Sequence, residues 1–363
     1  MDSGVLTNEV DLDDPDDLLF VFRELELGAI EMDSLRSILG RNINWRGTRR
    51  SGEHFFAKKL IGYDSTNRFT RSLAAGALAD RIPTPELLCH HQERSVLVFS
   101  VPRGAEQVRG WFGGREPDEQ SLVECGEVLG KLHALNLTAE VGDTRFVAPP
   151  LSDLKAISVD VYNHLTAGQI EAFRLLHSDP TVSASVAKLR AREDAALEHY
   201  TPVHGDIRLD QFLISEEGIF VIDFEEFRRG DPARDLGSLV GSILHSAILS
   251  IPERLKDERS IGVATTDREI MEAGSSSLER VAQVISEIWA RYQGSRGDTS
   301  ADPDLPVRAT AFAGWHMFDR LLASSEAASM LSPGILAAAG IGRSLLSDPD
   351  GHAESIGLTG GKP

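Results

Sequence analysis

The feature that most narrows the fold of this chain is His204-Gly205-Asp206-Ile207-Arg208-Leu209-Asp210-Gln211, with Val221-Ile222-Asp223-Phe224 downstream. Between them, two short strand-like runs, 212–214 and 219–223, flank the turn Ser215-Glu216-Glu217-Gly218. A hairpin there brings Gln211 and Asp223 together at its open end, and Gly205 frees the backbone to aim Asp206 outward. Two acids and an amide in this order match what phosphoryl transfer asks of a protein. One carboxylate orients a hydroxyl and takes its proton late, while an amide oxygen and a second carboxylate hold Mg²⁺ against nucleotide phosphates.

Alone, Asp206 would read as a loop acid capping its own turn. The pair downstream makes it the candidate base instead, with Gln211 and Asp223 as candidate Mg²⁺ ligands. Glu225 and Glu226 crowd more negative charge beside Asp223, which is costly unless a cation or solvent is there. Asp231-Pro232 reads as a helix N-cap with proline at the first helical position. Asp235, one turn on, is placed either to buttress the His204 loop or simply to favour a helix N-terminus. Upstream, Phe55-Phe56-Ala57-Lys58 is an apolar strand carrying a lysine, the arrangement that delivers an ammonium to nucleotide phosphates. Lys59 should face the other way. Arg46 and Gly47, in the basic stretch 46–52, are candidates to fold over the phosphates, although a hairpin turn without a ligand would look the same. Ser100, ending another strand-like run, completes the candidate nucleotide contacts.

Along the rest of the chain the patterns divide. Strand-like runs at 42–47, 54–60, 86–89 and 95–101, with a helix over about 67–80, give a small β-rich lobe at 17–103. Amphipathic helical spacing follows at 122–132, 167–178, 182–199, 233–249, 276–293, 307–326 and 333–346, so 104–346 reads as a larger, mostly helical lobe. Polar stretches at 256–275 and 294–305 look like loops. The acidic residues 1–16 and the tail 347–363 look disordered and loose. A formal charge of −19 argues against nucleic acid or an anionic membrane as the main partner. No uninterrupted apolar run reaches membrane-spanning length. Only two cysteines, Cys89 and Cys125, occur, both in apolar segments, and no signal-peptide pattern opens the chain. Reduced thiols in a cytoplasmic protein are expected.

The loop H-G-D-x-x-x-x-amide, the V-I-D-F segment and the start Gly230-Asp231-Pro232-Ala233-Arg234-Asp235-Leu236 resemble the aminoglycoside phosphotransferase and choline kinase family, a branch of the protein-kinase-like fold. The likeness covers about residues 40–250. It implies an α+β, bilobal kinase with ATP between the lobes, Lys58 on the phosphates, Asp206 as base, Gln211 and Asp223 on Mg²⁺, and His204, Asp231 and Asp235 in support. A closer likeness is to the kinase subunit of class V lanthipeptide synthetases. It runs through Asn44-Trp45-Arg46-Gly47-Thr48, Phe56-Ala57-Lys58-Lys59-Leu60 and the loop 204–213, and the segment 224–235 strengthens it. That likeness implies phosphorylation of Ser or Thr in a precursor peptide, followed by elimination on a partner lyase or cyclase.

Two departures stand out. Relatives pair the strand lysine with a glutamate on the small-lobe helix, whereas 68–78 here holds no acid before Asp80. Gln211 stands where asparagine is usual and is one C–C bond, ~1.5 Å, longer. A small-molecule alcohol kinase and a nucleotide-binding pseudokinase that docks a peptide therefore stay open beside the peptide kinase.

Overall fold

The computed structural model describes residues 9–10, 13–111, 116–136, 152–257, 266–297 and 302–359. Six strands form one antiparallel sheet: β1 (Glu9–Val10), β2 (Arg36–Ile38), β3 (Ile43–Thr48), β4 (His54–Lys59), β5 (Leu87–His91) and β6 (Val96–Ser100). Their order is β1-β2-β3-β4-β6-β5. Period-two alternation decides what each face carries. Trp45, Phe55, Ala57, Val96 and Val98 pack with Leu18, Val21 and Phe22 of helix α1 (Asp16–Glu24). Leu97 instead meets Leu60 and Phe69, the latter on helix α2 (Ser65–Gly76). Each such fully buried side chain contributes roughly 1.5–3 kcal/mol. Lys58, paired with Leu97, shares the α2 face, and Lys59 turns to the other face, where it meets Asp17 of α1.

The disorder expected over 1–16 does not extend to Glu9–Val10, which pairs with Ile38 and Ser37. An unpaired β2 edge would leave backbone groups open, and β1 closes it. Residues 1–8 and 11–12 lie outside the described residues.

The chain divides into two compact units. The first reaches Val108 and takes back Asp210–Arg228; the second holds Arg109–Asn136, then 152–209 and 229–359. The boundary expected at residue 103 gave the hairpin to the helical part, and here the structure differs. Strand β7 (Glu106–Gln107) pairs with a hairpin strand in a separate three-stranded sheet, and that sheet lies in the first unit. After β8 (Thr201–Val203) in the second unit, that hairpin is β9 (Phe212–Ser215) and β10 (Gly218–Val221). Val221 N–H also bonds the Pro83 carbonyl at 2.9 Å.

The second unit is helical: α3 (Glu119–His133), α4 (Val159–Tyr162), α5 (Ala167–Ser178), α6 (Pro180–Ala195), α7 (Pro232–Asp257), α8 (Asp267–Arg296), α9 (Leu305–Ser325), α10 (Pro333–Ser347) and α11 (Pro349–His352). Side-chain caps set several starts. Asp179 accepts from Thr181 N–H ahead of Pro180, and Thr166 and Gln169 form a capping box on α5. A second capping box, Thr266 with Glu269, begins α8 at 267, inside a stretch expected to be loop. Residues 258–265 and 298–301 of the two expected loops lie outside the described residues.

Helices α7 and α9 cross at close range because their contact is lined by small residues. A Cβ on Gly237 would stand 2.4 Å from the Ala309 carbonyl oxygen. By length and composition alone, 232–255 is apolar enough to cross a membrane, although Arg234, Asp235, Glu253 and Arg254 interrupt its apolar run. In the fold, 67% of that window is buried. The tail is not loose either, since Ala353, Ile356 and Leu358 are buried. Only 360–363 fall outside the described residues.

Candidate active site

The β4 strand and the end of the β9–β10 hairpin build the first half of the site, wholly within the sheet unit. Ile222 N–H donates to the Gln211 carbonyl at 2.9 Å, so Gln211 and Asp223 stand at the same open end of the hairpin. Asp223 has φ +71° and ψ +52°, a left-handed backbone rarely adopted without glycine and costing roughly 1–2 kcal/mol. The next three residues form a tight turn, Phe224–Glu226. Lys58 Nζ donates to Asp223 Oδ1 at 2.5 Å and to Glu225 Oε1 at 2.7 Å. Burial works against the ammonium's charge, but the facing carboxylates of Asp223 and Glu225 outweigh it and hold Lys58 above its ordinary pKa. Lys58 is therefore a charged, positioned cation at neutral pH.

The acids that hold Lys58 are Asp223 and Glu225, while Asp80 is exposed. Helix α2 supplies cations where an acid was looked for. Arg68 Nη1 donates to Glu225 Oε2 at 2.8 Å and to Asn42 Oδ1 at 3.0 Å, and Asn42 Nδ2 donates to Glu225 Oε1 at 2.6 Å. Arg71, one turn later, donates through Nε to the Glu225 carbonyl at 2.5 Å and pairs with Asp64 at 2.8 Å. Only one signal in the sequence pointed here: the excess acids after Asp223, whose compensating cations prove to be the two arginines of α2.

Register moves the phosphate-covering candidates. Lys58 pairs with Asn44, while Arg46 and Gly47 pair with Phe56 and Phe55, further along toward the opposite end of the sheet. Gly47 is explained by packing, since a Cβ there would meet the Phe55 ring at 2.8 Å. The turn on the Lys58 side is 39–42, which delivers Asn42. Ser100 pairs with Phe55, and its hydroxyl accepts from Glu86 N–H at 3.0 Å.

The loop that carries Asp206 is built in the helical unit and is fixed from beneath by Asp235. Asp235 is fully buried and accepts from His204 N–H at 2.6 Å and Gly205 N–H at 2.9 Å. Gly205 takes φ +89°, which lets both amides point at one carboxylate. His133 Nε2 stands 3.2 Å from Asp235, and His133 Nδ1 lies 2.9 Å from the Tyr292 hydroxyl. An ionised carboxylate only accepts, so the imidazole carries its proton on Nε2 and accepts a hydrogen bond from the tyrosine hydroxyl at Nδ1. Burial alone would raise the Asp235 pKa, but the His133 hydrogen bond and its other partners bring it below the ordinary value. Burial also lowers His133, keeping it neutral. Asp206 itself is half-exposed and receives Arg208 Nη1 at 2.7 Å.

Asp231 caps α7 through Ala233 N–H at 2.9 Å. The two Asp231 oxygens also receive Arg308 Nε and Nη2 at 2.8 and 3.0 Å. Arg308 in turn reaches Asp302, making a buried triad within the helical unit. His316 is a buried helix residue and Cys125 a buried thiol.

The donor set suits the ion that the chemistry needs. Asp223 and Gln211 offer hard oxygens, and among the described residues no three His, Cys, Asp or Glu side chains form a self-sufficient metal nest. An ion that draws most of its ligands from water and phosphate oxygens, as Mg²⁺ does, fits such a set.

No curated protein sequence matches the chain. Solved structures similar to it include LicA in complex with AMP, 12% identical, covering 92% of this chain and 98% of that one with a TM-score of 0.50. The choline kinase LicA from Streptococcus pneumoniae is 14% identical, with 85% and 99% covered and a TM-score of 0.44. The microcompartment-associated aminopropanol kinase is 16% identical, with 94% and 99% covered and a TM-score of 0.48. At these identities the likeness is one of fold: α+β and kinase-like, with a small β-rich N-terminal sheet and a larger helical C-terminal part. Residues 47–262, more than half of the 363, match the pattern of the phosphotransferase enzyme family. With a charged strand lysine bound to the hairpin acid and a buttressed His-Gly-Asp loop already in place, the match is decisive: the chain belongs to the phosphotransferase enzyme family.

Proposed function

We propose that this protein transfers the γ-phosphoryl group of ATP, with Mg²⁺, to an alcohol hydroxyl of a precursor peptide. The observation that carries the kinase reading is the contact of Lys58 with Asp223, a strand lysine and a hairpin-end acid held together in one unit. Asp223 and Gln211 would hold the metal. Bound Mg²⁺ neutralises charge on the transferring phosphoryl group. Lys58 orients the nucleotide phosphates, and Asp206 aligns the acceptor hydroxyl and receives its proton late, since an ordinary carboxylate is a weak base. The complex of LicA with AMP supports an adenine nucleotide as donor.

The peptide acceptor, a Ser or Thr hydroxyl later eliminated by a partner lyase or cyclase, is supported by the segments 44–48, 56–60 and 204–213 and their resemblance to lanthipeptide synthetase kinases. A small-molecule alcohol is the second reading, in keeping with LicA, a choline kinase of similar fold. The test uses purified full-length protein, Mg²⁺ and γ-labelled ATP. It is offered Ser/Thr-containing precursor peptides and, separately, choline and other amino alcohols. Label on the peptide, at a Ser or Thr by mass spectrometry, supports the first reading. Label on the small alcohols alone replaces it with the second. Nucleotide binding with no transfer to any acceptor makes the protein a pseudokinase that docks a partner.

A further inference from the structure

We infer that Glu225 is the residue that positions the nucleotide-binding lysine, in place of an acid on the facing helix, and that it keeps hold of Lys58 when the metal draws Asp223 away. The inference rests on the role given to Lys58 above.

Two carboxylates share one ammonium, but they are held very differently. Asp223 is a third exposed in its side chain, open to solvent and ions, whereas Glu225 is about a tenth exposed. A divalent cation outcompetes an ammonium for such a carboxylate at short range. Glu225 is divided between two cations, with Oε1 on Lys58 and Oε2 on Arg68. Arg68 has no exposed surface, so releasing Glu225 would leave a buried guanidinium without its anion, a costly state. Asn42 on Oε1 and Arg71 on the backbone carbonyl hold Glu225 from two further directions. Glu225 therefore stays while Asp223 changes partner. An ammonium has three protons, and this division leaves Lys58 one anchor and two donors for phosphate oxygens. It also makes α2 an arginine-bearing support: the helix reaches Lys58 through Glu225, and the usual charge order is reversed.

The experiment compares full-length wild type, Glu225→Gln and the double variant Glu225→Gln/Arg68→Met. It reads equilibrium ATP binding in Mg²⁺ and, without nucleotide, the acylation rate of Lys58 by mass spectrometry. Glu225→Gln should weaken ATP binding by at least about tenfold, the scale of one charged hydrogen bond. It should also speed Lys58 acylation, because the amine is held less firmly and is less fully protonated. The Mg²⁺ requirement of transfer should not move. The single variant strands Arg68 and will lose stability. The double variant removes that stranded charge and should regain stability without regaining ATP affinity. A well-folded double variant that binds ATP like wild type, or unchanged acylation of Lys58, overturns the inference while the kinase reading stands. A shifted Mg²⁺ requirement overturns it too, by making Glu225 a metal ligand. If wild type binds no ATP, the kinase reading itself fails and this inference falls with it.

Discussion

Lys58 Nζ and Asp223 Oδ1 lie 2.5 Å apart, joined across 165 residues of sequence. The contact ties strand β4 to the hairpin that ends in the candidate metal site, and it gives the first prediction. Asp223→Asn keeps a side chain of the same size but loses the charge that a metal needs. Turnover should fall at least about 100-fold, and the Mg²⁺ concentration for half-maximal rate should rise. Initial rates across a Mg²⁺ titration check this; an unchanged Mg²⁺ requirement would show that Asp223 serves only Lys58.

Asp206→Asn removes the hydroxyl-orienting carboxylate from a loop whose backbone is held by Asp235. The loop should keep its shape and ATP should bind as before, while kcat drops by about 10²–10⁴-fold. Single-turnover kinetics beside equilibrium nucleotide binding separate the two effects. A matching loss of ATP affinity would mean that the residue acts on the nucleotide rather than on the acceptor.

Asp235→Ala leaves two backbone amides and His133 without their common acceptor in a site with no exposed surface. Breaking such a buried set costs about 3–5 kcal/mol. Urea unfolding should show that loss, and whatever folded protein remains should turn over slowly because the Asp206 loop is no longer fixed. A loss under about 1 kcal/mol would place the support of the loop elsewhere.

Three histidines, His133 and His316 buried and His245 partly buried, shape the pH response of the helical unit. Burial, with Arg320 nearby, pushes His245 down to about 4, and burial also depresses His133 and His316. Each is neutral in the fold, whereas the unfolded chain takes up a proton near 6.5. The unfolded state thus binds more protons below that value, and acid favours it. Their cost is absent at about pH 7.5 and grows as pH falls from 6.5 toward the folded values. The slope is up to about 1.4 kcal/mol per pH unit for each histidine. Denaturant midpoints measured from pH 7.5 to 5 should fall steadily, and a flat profile would contradict neutral burial.

Much of this was legible in the residues. Helices such as 167–178 and 333–346 carry both apolar spacing and strong caps, so local and tertiary preferences agree, and their expected limits lie close to those of the structure. The hairpin 212–221 was equally plain from its turn. What stayed hidden depends on pairing across long separations. Nothing local tells Glu225 to reach Arg68, 157 residues earlier, or Tyr292 to serve His133. Glu9–Val10 is only two residues long, and becomes a strand because β2 has an open edge. Arg46 and Gly47 looked like a phosphate loop because a glycine among arginines reads that way without register. Register shows that the turn beside Lys58 is the one containing Gly40.

The central claim is that Asp206 and Asp223 serve one Mg²⁺- and ATP-dependent transfer. The most direct measurement is single-turnover release of ADP from γ-labelled ATP by the full-length protein, with and without Mg²⁺, for wild type, Asp206→Asn and Asp223→Ala. The account predicts Mg²⁺-dependent ADP and labelled acceptor from wild type, with both variants folded and slower by at least about 100-fold. Undiminished transfer by either folded variant would contradict it.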